Sequence, residues 1–225
     1  MRADPNKIYR IDHGVVLDNF KIKKRTGIVD KIGIRNHKKY LLYIGRIDVK
    51  KGIELLLLAF AKLIKKYNNV FLVVAGSGSE DYVKKLKKLT GELNIEDFVS
   101  FTGFVTEDEK LELLESAKLF VLTSHSDVHP IAVQDALTMG VPVVVTESCD
   151  FPEVVEYNAG VLVKPDVVSI YYGLSKMLEN DTILSLLSQN AKKLVEEKFL
   201  LEKQIKKYEE MYLDVIKNHN KSIKK

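Results

Sequence analysis

Cations of two kinds, Arg and Lys, lie in the short gap between an apolar run and a long amphipathic pattern. The run covers Tyr40–Gly45, Arg46 follows it directly, and Lys51 comes shortly before the helical pattern that begins at Ile53. Lysines in such gaps are often simply solvated. A helix start, however, also offers unpaired backbone N–H groups and the positive end of a dipole. The spacing therefore fits either a solvated loop or a phosphate site.

Two carboxylates stand eight positions apart further along the chain, at Asp127 and Asp135. The second lies in "IAVQDALTMG", which predicts a short helix after a loop. A carboxylate in this position could accept the two ribose hydroxyls of a nucleotide. The alternative is a solvated acidic residue on a helix face, and the spacing alone leaves both open.

The elements that must position these residues are strands and helices in regular alternation. Continuous apolar runs, rather than alternating ones, predict strands buried on both faces of a parallel sheet. The runs are Tyr40–Gly45, Val70–Gly76, Val99–Phe104, Leu119–Ser124, Pro142–Thr146 and Gly160–Val163. With amphipathic helices between them, they predict an α/β fold, a Rossmann-like doubly wound parallel sheet with helices on both faces and further helices at the C-terminus.

Such a sheet brings the loops after its strands to one crevice, where ligands bind. Glycines in these loops, at Gly45, Gly76, Gly78 and Gly103, would let the backbone approach a ligand closely. The crevice is therefore expected to combine cations, glycine-bearing loops and carboxylates.

The composition of the chain excludes several classes of protein. Lys and Arg exceed Asp and Glu by 35 to 31 in 225 residues, a balance too mild to indicate a nucleic-acid binder. The single cysteine, Cys149, excludes an internal disulfide and fits a reducing compartment. No apolar stretch approaches the roughly 18 residues of a membrane span, and the N-terminus has no apolar signal region. A soluble, cytoplasmic protein without a transmembrane segment is expected.

Five stretches carry a family resemblance. They are "GRIDVKKG", "VVAGSGSE", "VSFTGFV", "SHSDVHPIAVQDALTMGVPVVVTESCDFPEVVE" and "GVLVKP". In this order and spacing they resemble the C-terminal, donor-binding domain of GT-B fold glycosyltransferases, family 4 or glycosyl transferases group 1. The resemblance covers roughly residues 39–199 and implies a retaining, hexosyltransferase-type enzyme that uses a nucleoside diphosphate sugar such as a UDP-, GDP- or ADP-sugar.

The resemblance assigns roles to the chemical groups already noted. It implies that Arg46 and Lys51 hold the donor diphosphate and stabilise the charge of the leaving group. It also implies that Asp127 contacts the transferred sugar, and these three residues are the predicted catalytic ones. No Asp-x-Asp triplet occurs in the chain, in agreement with a metal-independent enzyme. The resemblance implies no cofactor, since the nucleoside diphosphate sugar is a substrate. The implied nucleotide-sugar contacts are Gly45, Gly76, Gly78, Gly103, Phe104, Val105, His129, Pro130, Ile131 and Asp135.

The loop from Asp127 to Pro130 departs from the family signature Glu-x7-Glu, which has Gly-aromatic-Gly after the first Glu. Both acids are one methylene shorter here, about 1.5 Å of reach. Val128 disfavours a positive φ, so another loop path is expected, and Pro130 would be the first helical residue without an N–H donor. His129 fills the aromatic position, where it either hydrogen-bonds a sugar hydroxyl or is solvated.

The predicted organisation has three parts. Residues 1–38 resemble the segment that follows an N-terminal domain, residues 39–198 form the nucleotide-sugar-binding domain, and residues 199–225 form a C-terminal helix with a basic tail. The expected partners are the donor, an unknown glycan or lipid acceptor and an N-terminal GT-B domain, without which little transfer is expected.

Two other classes of protein remain as alternatives. A non-catalytic nucleotide-sugar-binding or scaffold module would explain the lost Gly-aromatic-Gly. A receiver-like or flavodoxin-like domain is disfavoured because Gly45 and Arg46, rather than acidic residues or a flavin loop, follow the first strand.

Overall fold

The computed structural model describes residues 8–33 and 39–223. Within them, six parallel strands form one sheet in the order β3-β2-β1-β4-β5-β6, so the strand order reverses between β1 and β4. The strands are β1 (Lys39–Ile44), β2 (Val70–Ala75), β3 (Val99–Gly103), β4 (Leu119–Leu122), β5 (Val143–Thr146) and β6 (Gly160–Val163). The predicted doubly wound fold is confirmed, and each strand matches an apolar run to within two residues at either end.

Helices connect the strands and cover both faces of the sheet. They are α1 (Ile28–Lys31), α2 (Ile53–Leu63), α3 (Glu80–Glu92), α4 (Glu107–Ser116), α5 (Ile131–Thr138), α6 (Glu153–Glu156), α7 (Val167–Leu178), α8 (Asp181–Leu194) and α9 (Leu201–Ile223). A π-helical turn, Val195–Phe199, joins α8 to the last helix. Thr106 and Glu109 form a capping box at the start of α4.

The central strands are buried because helices cover both of their faces. All six residues of β2 and all four of β4 and β5 are buried, whereas the edge strands β3 and β6 include half-buried residues. β1 pairs with β2 along its whole length and with β4 through Leu41 and Leu42. This burial explains why the central strands read as continuous apolar runs.

The N-terminal segment, residues 8–33, packs on this same domain. Val15 bridges the end of the π-helical turn and the start of α9, donating to the Phe199 carbonyl at 2.7 Å and accepting from the Leu201 amide at 2.9 Å. The predicted boundary between residues 38 and 39 adjoins residues 34–38, which lie outside the described residues, as do residues 1–7 and 224–225. The three-part division of the chain stays a prediction.

The carboxylate of Glu112 fastens the N-terminal segment to α4. Glu112 accepts from the Thr26 amide and hydroxyl, both at 2.7 Å, and from the Gly27 amide at 3.2 Å. Burial raises the pKa of Glu112, but the hydrogen bonds from Thr26 outweigh it and leave that pKa below the usual value. Because the folded-state pKa is lowered, this contribution to stability is present above the ordinary glutamate pKa and is lost as the pH falls through the folded-state value.

Replacing Glu112 with alanine should lower the free energy of unfolding by about 1–3 kcal/mol at pH 7, because three partly buried donors lose their acceptor. Urea denaturation at pH 7 measures the loss, and the difference from wild type should shrink as the pH falls below the ordinary glutamate pKa. Glu115→Ala is the control, since Glu115 makes an exposed ion pair with Arg25, for which about 0–1 kcal/mol is expected. Equal losses in the two variants would contradict this account of the anchor.

The last helix, α9, carries an apolar stripe along one side. The helix continues beyond the π-helical turn, and most of this stripe is exposed rather than packed on the protein's own core. Its exposed members are Leu201, Ile205, Tyr208, Tyr212 and Ile216. None of the described helices combines the length and the apolar character needed to cross a membrane.

Candidate functional site

The crevice lies where the strand order reverses, between the carboxyl ends of β1 and β4. The loop after β1 and the loop after β4 are tied together there by backbone contacts. The His125 amide donates to the Lys50 carbonyl at 2.9 Å. The Thr123 hydroxyl is 3.2 Å from the Lys51 carbonyl and 3.0 Å from the Gly52 carbonyl. The two loops are thus held in fixed relation, so side chains from both meet at this point.

Lys51 and Asp127 meet across this crevice. The Lys51 ammonium donates to Asp127 Oδ2, and the Ser124 hydroxyl donates to the same oxygen at 3.3 Å. Their side chains are 18% and 22% exposed, so the pair is partly screened from water and still within reach of a ligand. The structure therefore brings together a cation and a carboxylate that lie 76 positions apart in the sequence.

Arg46 stands exposed two residues after β1. The Arg46 backbone is fixed by a hydrogen bond, because the hydroxyl of buried Tyr43 donates to the Arg46 carbonyl at 2.8 Å. Among the described residues, the guanidinium makes no ion pair. A charge on a fixed backbone without an internal partner is able to bind an anion from solution.

Two of the predicted ligand-contacting glycines pack against the loop after β1. A Cβ on Gly76 would lie 1.8 Å from the Gly45 carbonyl oxygen, and one on Gly78 would lie 2.0 Å from the Ile47 carbonyl oxygen. The Ile47 amide donates to the Ser77 carbonyl at 2.8 Å in the same contact. Loop packing is thus sufficient to require glycine at both positions, and their contact with a ligand stays a prediction.

A cleft of 410 Å³ opens beside this loop contact, at the ends of β2 and β3. Gly76, Gly78 and Gly103 line it together with Lys87 and Phe101. Lys51 and Asp127 are not among the residues that line this cleft.

Two of the predicted nucleotide-sugar contacts, Phe104 and Val105, follow β3 next to this cleft. Phe104 is 77% exposed, which excludes a core position, and Val105 packs partly against the core. The exposed ring is available for stacking, since aromatic faces bind flat apolar groups.

The loop from Asp127 to Pro130 takes a path of its own, as its sequence predicts. The positive φ falls on His129, at 47°, and Val128 keeps a negative φ with its side chain exposed. The expectation that Pro130 begins the helix is wrong. Pro130 is the N-cap with ψ of 124°, and Ile131 is the first helical residue. The reason is that the loop must still be extended at Pro130 after turning at His129.

The His129 side chain is not solvated, contrary to one of the two expectations. It is 11% exposed and stacks on Phe151 at 4.0 Å, with the edge of Phe199 at 5.2 Å. Its contact with a sugar hydroxyl stays a prediction. The stacked imidazole gives the loop a buried anchor two residues after Asp127.

Two acids face the His129 imidazole. Its Nε2 lies 3.8 Å from Asp12 and 4.0 Å from Glu153, without a hydrogen bond to the described residues. Burial lowers the pKa of His129, and the two carboxylates only partly oppose that shift. The Arg10 guanidinium in turn lies 3.7 Å from the Glu153 carboxylate and forms an ion pair with it. Glu153 is therefore held in an ion network with the N-terminal segment.

Asp135 lies on α5 and is almost buried, with 9% of its surface exposed. Lys110 of α4 donates to Asp135 Oδ2 at 2.7 Å. Burial raises the pKa of Asp135, and the Lys110 charge opposes the shift. Sequence reasoning missed Lys110, which reads as an ordinary solvated lysine in "TEDEKLELLESA". Only its position one turn into the helix after β3 could have suggested a place near the crevice.

Cys149 is buried behind the crevice, and its thiol is 3.4 Å from the Thr146 hydroxyl. Burial raises the pKa of the Cys149 thiol, so the reactive thiolate is disfavoured, in line with an inert side chain.

Comparisons with known proteins agree with this architecture. The family model for glycosyl transferases group 1 matches residues 24–194. An uncharacterized glycosyltransferase of Methanocaldococcus jannaschii is 32% identical over 184 residues, which cover 80% of this chain and 46% of that protein. The chain spans about half the length of this relative and of several others that it matches.

Solved structures share the fold. The Anabaena protein HepE, in complex with UDP, superposes with a TM-score of 0.80 at 20% identity, covering 91% of this chain and 57% of that one. The C-terminal domain of a group 1 glycosyl transferase from Francisella tularensis matches with a TM-score of 0.73 at 22% identity, covering 84% of this chain and 100% of that domain. The predicted resemblance to the C-terminal half of a GT-B enzyme is confirmed, and the chain belongs to the glycosyl transferases group 1 family.

Proposed function

We propose that this chain is the donor-binding half of a retaining glycosyltransferase that moves a hexosyl group from a nucleoside diphosphate sugar to a glycan or lipid acceptor. The observation that carries the proposal is the Lys51–Asp127 pair at the point where the strand order reverses, with Arg46 exposed on the neighbouring loop. Complexes of a fold relative with UDP and with UDP-glucose support a nucleotide donor. Retention of configuration rests on the family alone.

The pair suggests how a donor is received. The Lys51 ammonium exchanges Asp127 for a diphosphate oxygen, and Arg46 reaches the same group with its forked donors. Asp127, released from the lysine, accepts a hydrogen bond from a hydroxyl of the transferred sugar. As the glycosidic bond breaks, negative charge grows on the nucleoside diphosphate, and the two cations stabilise it without a metal ion. The ribose hydroxyls are assigned to Asp135 and the base to the loop at Phe104.

The acceptor side is assigned to an N-terminal half. Relatives about twice as long leave room for a second domain, and the exposed stripe of α9 is a surface against which that domain could pack. Transfer by this chain alone is expected to be weak or absent.

A thermal-shift screen tests the proposal with the 225-residue chain. UDP-, GDP- and ADP-sugars are compared at millimolar concentration, with the matching nucleoside monophosphates as controls that lack the diphosphate. A ligand at 100 times its dissociation constant stabilises the folded state by about 2.7 kcal/mol, so even a weak donor should raise Tm. A rise with one class of base, absent with its monophosphate, is the expected result. No rise with any donor would favour the scaffold alternative.

A further inference from the structure

The Lys110–Asp135 ion pair joins the two helices that follow β3 and β4. Lys110 Nζ is 2.7 Å from Asp135 Oδ2 and 2.8 Å from Glu107 Oε1. The Lys110 and Asp135 side chains are 20% and 12% exposed, so water screens this contact only in part. Asp135 Oδ1 makes no hydrogen bond within the described part of the chain, whereas Oδ2 is taken by the lysine.

We infer that Lys110 is a positioning residue for nucleotide binding, which holds Asp135 ionised and oriented so that its free oxygen accepts the ribose hydroxyls. This inference rests on the proposed function, because it takes Asp135 to be the ribose-binding carboxylate. Lys110 itself need not touch the nucleotide.

The need for such a residue follows from burial. A carboxylate that accepts hydroxyl donors must be ionised, since a protonated carboxyl gives up acceptor capacity. Burial raises the pKa of Asp135 and so disfavours the ionised form. A lysine at hydrogen-bonding distance favours the charged form.

Other charged groups around Asp135 do not replace Lys110. Glu107, on the same helix as Lys110, raises the pKa of Asp135 further, and His13 of the N-terminal segment lowers it. Only Lys110 among these three makes a hydrogen bond to the Asp135 carboxylate. Removal of the lysine would therefore leave a buried carboxylate beside a second acid.

The experiment uses the full chain and follows binding of UDP, GDP and ADP by calorimetry between pH 8 and pH 6. In Lys110→Met, affinity for the nucleotide that wild type binds should fall with decreasing pH, by up to about tenfold per unit, the limit for one proton. Wild type should be flatter over this range. Affinity for inorganic pyrophosphate, which has no ribose, should be the same in both proteins.

Three variants serve as controls. Lys110→Arg should restore the wild-type profile because it keeps the charge. Asp135→Asn should bind weakly at every pH, and adding Lys110→Met to it should change nothing further. Lys118→Met removes a lysine that contacts an aspartate on α8, at the opposite end of the strands from the crevice, and should behave as wild type.

The outcomes distinguish failure of this inference from failure of the proposed function. If wild type binds a nucleotide and Lys110→Met has the same pH profile, the inference is wrong while the proposed function stands. A loss of pyrophosphate binding in Lys110→Met also overturns it, because the lysine would then act on the phosphates or on the fold. If wild type binds none of the three nucleotides at any pH, the proposed function fails and the inference falls with it.

Discussion

Lys51→Met should lower the affinity for a nucleoside diphosphate by roughly ten- to a hundredfold. A charge-assisted hydrogen bond is worth about 1.5–3 kcal/mol, and each 1.4 kcal/mol is a factor of ten. The variant also leaves Asp127 without its cation, so a partly buried carboxylate would face the incoming diphosphate. Calorimetric titration of the donor identified by thermal shift measures the change.

The neighbouring lysine provides the matched control. Lys50 is exposed, makes no ion pair with the described residues, and its carbonyl rather than its side chain contacts the loop after β4. Lys50→Met should therefore change affinity by less than about threefold, in the range of exposed charges. Equal losses in Lys50→Met and Lys51→Met would mean that only the net charge of the loop matters, against the assigned role of Lys51.

Asp127→Asn should affect binding of the diphosphate and binding of the sugar differently. Lys51 would no longer need to leave a carboxylate, so affinity for the nucleoside diphosphate without sugar should be unchanged or higher. Affinity for the nucleoside diphosphate sugar should fall relative to the affinity for the nucleoside diphosphate, because the sugar hydroxyl loses its charged hydrogen-bond acceptor. Parallel titrations with UDP and a UDP-sugar, or the corresponding GDP or ADP pair, measure the ratio. A loss of affinity for both ligands would contradict the exchange of partners by Lys51.

Gly52→Ala should strongly destabilise the fold at the site. Gly52 has φ of 61°, and a Cβ there would lie 2.2 Å from the Thr123 carbonyl oxygen, which is backbone of the loop after β4. The left-handed conformation costs an alanine about 1–2 kcal/mol, and relief of the clash requires the two loops to separate. A loss of about 2–4 kcal/mol in the free energy of unfolding is expected, together with weakened donor binding.

Gly27→Ala separates the effect of conformation from that of contact. Gly27 has a similar φ of 71°, but a Cβ there would meet nothing within 4 Å. It should cost only the conformational part, about 1–2 kcal/mol, and leave donor binding unchanged. Urea denaturation of both variants gives the comparison. If Gly52→Ala is no more destabilising than Gly27→Ala, the loops are not locked together as described.

The strands of the sheet could be predicted from the sequence because strands buried on both faces consist of continuous apolar residues. Central strands such as β2 admit only apolar residues, so their positions could be read directly. The meeting of Lys51 with Asp127 was also predictable, because both follow strands whose carboxyl ends must share one edge. Topology, rather than any local signal, brought these two residues together.

The parts that escaped prediction depend on tertiary partners that are distant in the sequence. His129 is buried because Phe151 and Phe199 provide its stacking partners, and neither is apparent from the loop sequence. Lys110 differs from solvated lysines only through its contact with Asp135 on another helix. The exposure of the α9 stripe depends on how far the helix extends beyond the sheet, which its periodicity does not specify.

The central claim is that cations at the end of β1 receive the diphosphate of a sugar donor, and a crystal structure of the chain with the donor from the thermal screen tests it most directly. The account predicts diphosphate oxygens about 3 Å from the Lys51 ammonium and the Arg46 guanidinium, with Asp127 turned from the lysine to a sugar hydroxyl. A donor bound elsewhere with the Lys51–Asp127 pair intact would contradict it.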